Sequence, residues 1–159
     1  IALAARTPDH GKLAPWRFVI VPQKRRGDLS ALLCRALDEN NPDATDAHRH
    51  KADEFAHGGE ALVVLLSAPV HGHKVPVWEQ ELSAGAAAMN LLHAAHVHGF
   101  VGSWLTGWAA YDPLVRDAFC TGPHERIAGF FFFGSPGRGL EERPRPERSA
   151  IVRRWDRAP

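Results

Sequence analysis

Two stretches leave the chain little freedom in what it can fold into: "ALVVLLS" at 61–67 and "IAGFFFFG" at 127–134. Each is an unbroken apolar run of strand length. A strand with one wet face alternates apolar and polar side chains, so an unbroken run marks a strand covered on both faces. The rest of the sequence has to supply that cover. With 159 residues, 45% of them hydrophobic and 23% charged, the chain has the size and composition of one soluble domain with a real core.

The segments around these runs read as the covering elements. "RTPDHGKLAP" (6–15) is dense in turn residues and reads as a loop. "WRFVIV" (16–21) is β-branched and aromatic, a strand closed by Pro22. Asp28 is placed to cap a helix over 28–38, in which Leu29, Leu32, Leu33, Ala36 and Leu37 form a one-sided apolar stripe. "DENNPDATDA" (38–47) is a polar connector and a candidate variable loop, followed by a short helix over 48–57. A long helix is expected over 77–98 with Gly99 as its stop, then a strand at 100–104. "DPLVRDAF" opens with an Asp cap and a Pro at the first helical position. The Pro- and Arg-rich remainder, 137–159, is expected as an extended tail with a last apolar patch at "AIVRRW". Helices interleaved with apolar strands indicate an α/β or α+β layered domain.

Charge and composition narrow the function. Nineteen Lys and Arg against 18 Asp and Glu leave a net charge of +1, which offers no electrostatic case for nucleic acid. Asn90, His93, His96 and His98 interrupt the longest apolar stretch, so no membrane span is expected. No signal peptide is visible. Cys34 and Cys120 lack metal-finger spacing and read as structural free thiols in a reducing compartment, which places the protein in the cytoplasm. His71, His73, His93, His96 and His98 raise the question of a metal. No cysteine lies near them and no HExxH spacing occurs, so no metal is expected.

The long helix carries Ser83, Ala84, Gly85, Ala86, Ala87 and Ala88 in succession. So little side-chain bulk lets another backbone come close. Two arrangements explain it: tight packing inside the helix's own domain, or packing against the same helix of a second copy.

Four segments together resemble the nitroreductase family of FMN-dependent oxidoreductases, within it the short YdjA-like subgroup of NAD(P)H nitroreductases. They are "RTPDHGKLAPWRFVIV" (6–21), "HKVPVWEQELSAGAAAMNLLHAAHVHGF" (73–100), "GSWLTGW" (102–108) and "DPLVRDAF…IAGFFFFGSP" (112–136). The pattern HKVPxWEQxxSAGAAxxN is the most specific of them. The resemblance implies an α+β fold: a three-layer α/β/α sandwich whose mainly antiparallel central sheet is flanked by helices. It also implies an intertwined homodimer through helix 77–98, with two FMN sites at the interface. The implied activity is ping-pong transfer of hydride from NADH or NADPH, through FMN, to a nitroaromatic, quinone or similar small acceptor. No catalytic side chain is expected, because the cofactor carries the chemistry. A non-catalytic flavin-binding or sequestering homologue is the alternative.

Position by position, the resemblance puts Arg6 and His10 against FMN, with a helix-end cation and a loop cap as their ordinary alternatives. Trp104, Leu105, Thr106 and Gly107 match the segment that brings backbone N–H groups and an aromatic ring to the flavin; a strand end with a core Trp is the alternative. Ala94, Ala95, His96, Val97, His98 and Gly99 match the nicotinamide stretch, which helix packing explains equally well. Arg143 and Arg145 fall where related enzymes supply phosphate-binding cations, and a solvated tail is the alternative there. Two departures stand out. The subgroup's Arg-Arg-Ser segment, which grips the FMN phosphate, has no counterpart here, so either an N-terminal helix segment is missing or the phosphate is held otherwise. The loop before Pro15-Trp16 has Lys12 and Ala14 where the family favours Asn and Gln, and Lys12 is a candidate cation for the flavin's pyrimidine edge.

Overall fold

The computed structural model describes residues 1–137, 139 and 141–156. The two apolar runs form the middle of a four-stranded sheet. Its strands are β1 (Trp16–Val21), β2 (Ala61–Ser67), β3 (Val101–Leu105) and β4 (Arg126–Gly134). They are ordered β1-β2-β4-β3 with every neighbouring pair antiparallel. The helices are α1 (Arg26–Asn40), α2 (Asp46–His57), α3 (Val77–Val97), α4 (Pro113–Phe119) and the single turn α5 (Arg148–Ile151).

Alternation along β2 and β4 explains why both runs are apolar throughout. Leu62, Val64, Leu66, Phe130 and Phe132 join the cluster formed with α1, α2 and α4, while Val63, Leu65 and Phe131 join Ala88 and Leu91 of α3 on the opposite face. The sandwich therefore has three layers: α1, α2 and α4; the sheet; and α3. Phe55 of α2 meets Phe130 and Phe132 edge-on, with ring centroids 5.1 and 5.0 Å away, a favoured aromatic geometry.

Helix α1 starts at Arg26, ahead of the expected Asp28, and the guanidinium of Arg26 anchors that start. That side chain is buried at 1% exposure. Its Nε donates to Val21 O at 3.3 Å, and Nη1 donates to Ala56 O at 2.8 Å and Gly58 O at 3.1 Å. It thus ties the end of β1 to the end of α2. Asp28 does not cap; it pairs with Arg25 at 2.9 Å. Since α1 runs to Asn40 and α2 begins at Asp46, the connector shrinks to 41–45, where the Thr45 N–H donates to His48 Nδ1 at 3.1 Å. The tail expected to be wholly extended contains the turn α5, and every residue from 141 to 156 is exposed.

Arg26→Met removes three hydrogen bonds from a buried junction. A loss of about 2–3 kcal/mol is expected, seen in a thermal melt as a fall in Tm of roughly 5–10 °C for a chain of this size. An unchanged Tm would show that the three carbonyls do not depend on Arg26.

Candidate functional site

Helix α3 organises the site because its sides do different things. Gln80, Ser83, Ala84, Ala87, Ala88 and Leu91 are buried, so much of the small-residue run serves packing within the chain. Gly85 does not: a Cβ there would meet nothing within 4 Å. Trp78, Leu82, Ala86 and Met89 form a solvent-facing stripe at helical spacing. Trp78 is 67% exposed and Leu82 52%, an unusual place for large apolar side chains on a folded chain.

A second side of α3 holds the segment that carries Arg6, His10 and Lys12. Asn90 Nδ2 donates to Thr7 Oγ1 at 2.8 Å, and Ser83 Oγ donates to Pro8 O at 2.7 Å. Trp16 Nε1 in turn donates to Ser83 Oγ at 3.3 Å. His10 Nδ1 lies 2.7 Å from Glu79 Oε2. Beyond it the backbone takes two left-handed residues, Lys12 (φ 54) and Ala14 (φ 47), a conformation that costs energy for any residue with a Cβ. Asp9 holds this turn by accepting from the N–H groups of Leu13 at 3.0 Å and Ala14 at 2.7 Å. Arg6 and Lys12 are exposed and form no ion pair among the described residues.

The other half of the site lies at the end of β3. The register between β2 and β4 shifts at Leu65/Leu66, leaving Ala128 as the extra residue of a bulge. Trp104 uses it. Its Nε1 donates to the Ala128 carbonyl at 2.9 Å, and its ring lies 5.3 Å from that of Phe131. The indole crosses Gly129 so closely that a Cβ on that residue would overlap it. Trp104 and Thr106 then border a cleft of about 800 Å³ whose other walls include Ser67, Glu81, Tyr111 and Arg126. Glu81 pairs with Arg126. The Ser67 hydroxyl is buried with no hydrogen-bond partner among the described residues. At the same cleft the rings of His71 and His124 stack at 3.8 Å.

Nearby, burial pushes the Glu125 carboxyl up, but N–H donors from Thr121 at 2.6 Å and Gly122 at 3.0 Å outweigh it and leave it below the ordinary carboxylate range. Its hold on that turn is complete above the ordinary carboxylate pKa and fades as pH falls through the lowered value. Burial, reinforced by Glu125, pushes the Cys120 thiol up, which suits a structural thiol and not a nucleophile.

The structure thus gathers the expected residues into separate groups. His10 sits against one side of α3, with Arg6 and Lys12 on the same segment of chain, whereas Trp104 and Thr106 border the cleft on another. Thr106 and Gly107 also border a small pocket of about 200 Å³ with Lys51 and Trp108. Ala94, Ala95 and His98 line a separate apolar pocket of about 410 Å³ with Leu91 and Phe133, which shares no residue with the cleft. His96 and Gly99 terminate α3: His96 Nδ1 lies 3.2 Å from Phe100 O, and Gly99 has φ 82. Arg143 and Arg145 stand in the exposed tail, Arg145 paired with Glu142 at 2.7 Å. Sequence reasoning missed Glu79, Ser83 and Asn90 as anchors, although their spacing already sets polar residues along one side of the helix. It also missed Lys51, Ser67 and Gly129, which no local pattern marks.

Comparison with known proteins agrees with this architecture. The model of the Nitroreductase family matches residues 1–135, and the chain belongs to that family. Among individual relatives, the Escherichia coli (strain K12) protein named "Putative NAD(P)H nitroreductase YdjA" is 34% identical over 131 residues, covering 82% of this chain and 70% of its own. A nitroreductase-like family protein from Bacillus cereus superposes with a TM-score of 0.79 at 19% identity, covering 98% of this chain and 81% of its own. A nitroreductase from Bacteroides fragilis, solved with bound FMN, gives 0.63 at 16% identity over 96% and 82%. No helix among the described residues is long and apolar enough to cross a membrane, and no group of three or more His, Cys, Asp or Glu is placed to hold a metal ion.

Gly129→Ala should displace the Trp104 indole from Ala128. The expected outcome is a red-shifted, more quenchable Trp emission and a stability loss of about 1–3 kcal/mol from overpacking. An unchanged emission spectrum would mean that Trp104 is not held there.

Proposed function

We propose that this protein is an FMN-dependent oxidoreductase that takes hydride from NADH or NADPH and reduces a nitroaromatic, quinone or similar small acceptor in two alternating half-reactions. The observation that carries this reading is the end of β3. There a locked indole and Thr106 border a cleft within the roughly 300–1,000 Å³ range of small-molecule sites, in a chain of the nitroreductase family. The residues present suit the cofactor. Trp104 offers a flat wall, Gly107 lets backbone approach closely, and Arg6 and Lys12, without an ion pair among the described residues, offer cations for phosphate or for the edge where charge develops. Bound FMN would supply the hydride chemistry; the chain's share is to bind, orient and exclude water.

The proposal includes a homodimer. The exposed Trp78, Leu82 and Met89 and the unused smallness of Gly85 and Ala86 suit an antiparallel or crossed mate of α3. A second copy is also the simplest way to complete one site from the 6–12 segment and the 104–107 turn, which lie on different sides of α3. In that assembly Ala94–Gly99 is the stretch proposed for nicotinamide, and Arg143 and Arg145 reach a phosphate by way of the tail.

Two measurements test this. In stopped flow, the flavin band of FMN-loaded protein should bleach with NADH or NADPH and recover when a nitroaromatic or quinone is added. Bound flavin that never bleaches would leave a non-catalytic flavin binder. Leu82→Glu places a charge in the proposed interface and should weaken dimerisation on the order of a hundredfold or more, with FMN lost alongside. A Leu82→Glu protein that sediments and binds FMN as the parent does would contradict the shared site.

A further inference from the structure

The side of α3 that holds the 7–10 segment contains one contact unlike the others. Ser83 bonds the Pro8 carbonyl, and Asn90 bonds Thr7, whose hydroxyl caps the Ala4 carbonyl at 3.0 Å. Both fix the path of the backbone. Glu79 meets the His10 Nδ1 at 2.7 Å across 69 residues of sequence, and that ring caps no backbone group among the described residues. Removing Glu79 would leave the loop anchored by Ser83 and Asn90 but free the imidazole to turn.

A carboxylate has no proton to give, so the hydrogen between the two groups belongs to Nδ1. In the neutral ring that leaves Nε2 with the lone pair. Nε2 has no partner among the described residues, and the His10 side chain is 66% exposed. A histidine whose one nitrogen is fixed in this way presents the other with defined direction and polarity.

We propose that Glu79 is a positioning residue: it fixes the His10 tautomer so that Nε2 faces outward as a hydrogen-bond acceptor. This rests on the reading that His10 meets FMN. It adds which part of the cofactor His10 takes. A lone-pair nitrogen accepts from an O–H or N–H, so its partner is a ribityl hydroxyl or the ring N–H. The phosphate oxygens carry no hydrogen to give and are left to the cations.

The test uses the full-length protein, ¹⁵N-labelled at histidine, with ring-nitrogen NMR before and after FMN is added, and FMN affinity by fluorescence quenching. The apoprotein should show the His10 proton on Nδ1. Glu79→Gln keeps an acceptor oxygen and should keep both tautomer and affinity. Glu79→Ala should lose the fixed tautomer and weaken FMN binding about five- to tenfold, with no further loss when added to His10→Ala. The inference is overturned if Glu79→Ala leaves the tautomer in place, or if its effect on affinity simply adds to that of His10→Ala. The reading beneath it fails separately: His10→Ala would then bind FMN as well as the parent while the tautomer still followed Glu79.

Discussion

The double burial of β2 and β4 is the constraint on which the rest of the structure depends. Two central strands apolar on both faces require a layer on each side, and the chain meets the need unequally. Three helices cover one face, while α3 covers most of the other. A single helix lying close over four strands needs small residues where it touches them, and Ala84, Ala87 and Ala88 are those residues. The same run continues round the helix to Gly85, where an added Cβ would meet nothing within 4 Å, and to the exposed Ala86. One sequence feature thus serves two packing surfaces, an inner one seen in the structure and an outer one proposed for a second copy.

The site follows from how elements meet α3 and the end of the sheet. On one side, polar groups of α3 reach across to the 7–10 segment and hold a loop whose next turn contains two left-handed residues. On the other, a single-residue bulge in β4 exposes a carbonyl, and a glycine beside it lets Trp104 lie flat against the sheet. Each arrangement spends local strain or a missing side chain to fix a group that the proposed function uses.

Much of the fold was legible in the sequence, for identifiable reasons. The apolar runs identified β2 and β4 because full burial leaves no alternation to misread. Asp112 and Pro113 announced α4, and the Asp112 carboxylate does accept from Leu114 and Val115. The start of α1 was misplaced because Asp28 resembles a cap, whereas Asp28 pairs with Arg25 and the helix begins at Arg26, whose guanidinium grips the end of α2. The turn α5 lay beyond a reading guided by its prolines. Of the residues proposed for the site, Arg6, His10 and Trp104–Gly107 were named only through the family resemblance. The roles of Gly129, Ser67 and Lys51 depend on contacts between strands and helices far apart in sequence, which no spacing rule expresses.

The most direct test of the central claim is the visible absorption spectrum of the purified protein after incubation with FMN and desalting. Stoichiometric retained flavin, released on heating and identified as FMN, is the expected result. A colourless protein that takes up no added FMN would contradict it, and the cleft beside Trp104 would need another ligand.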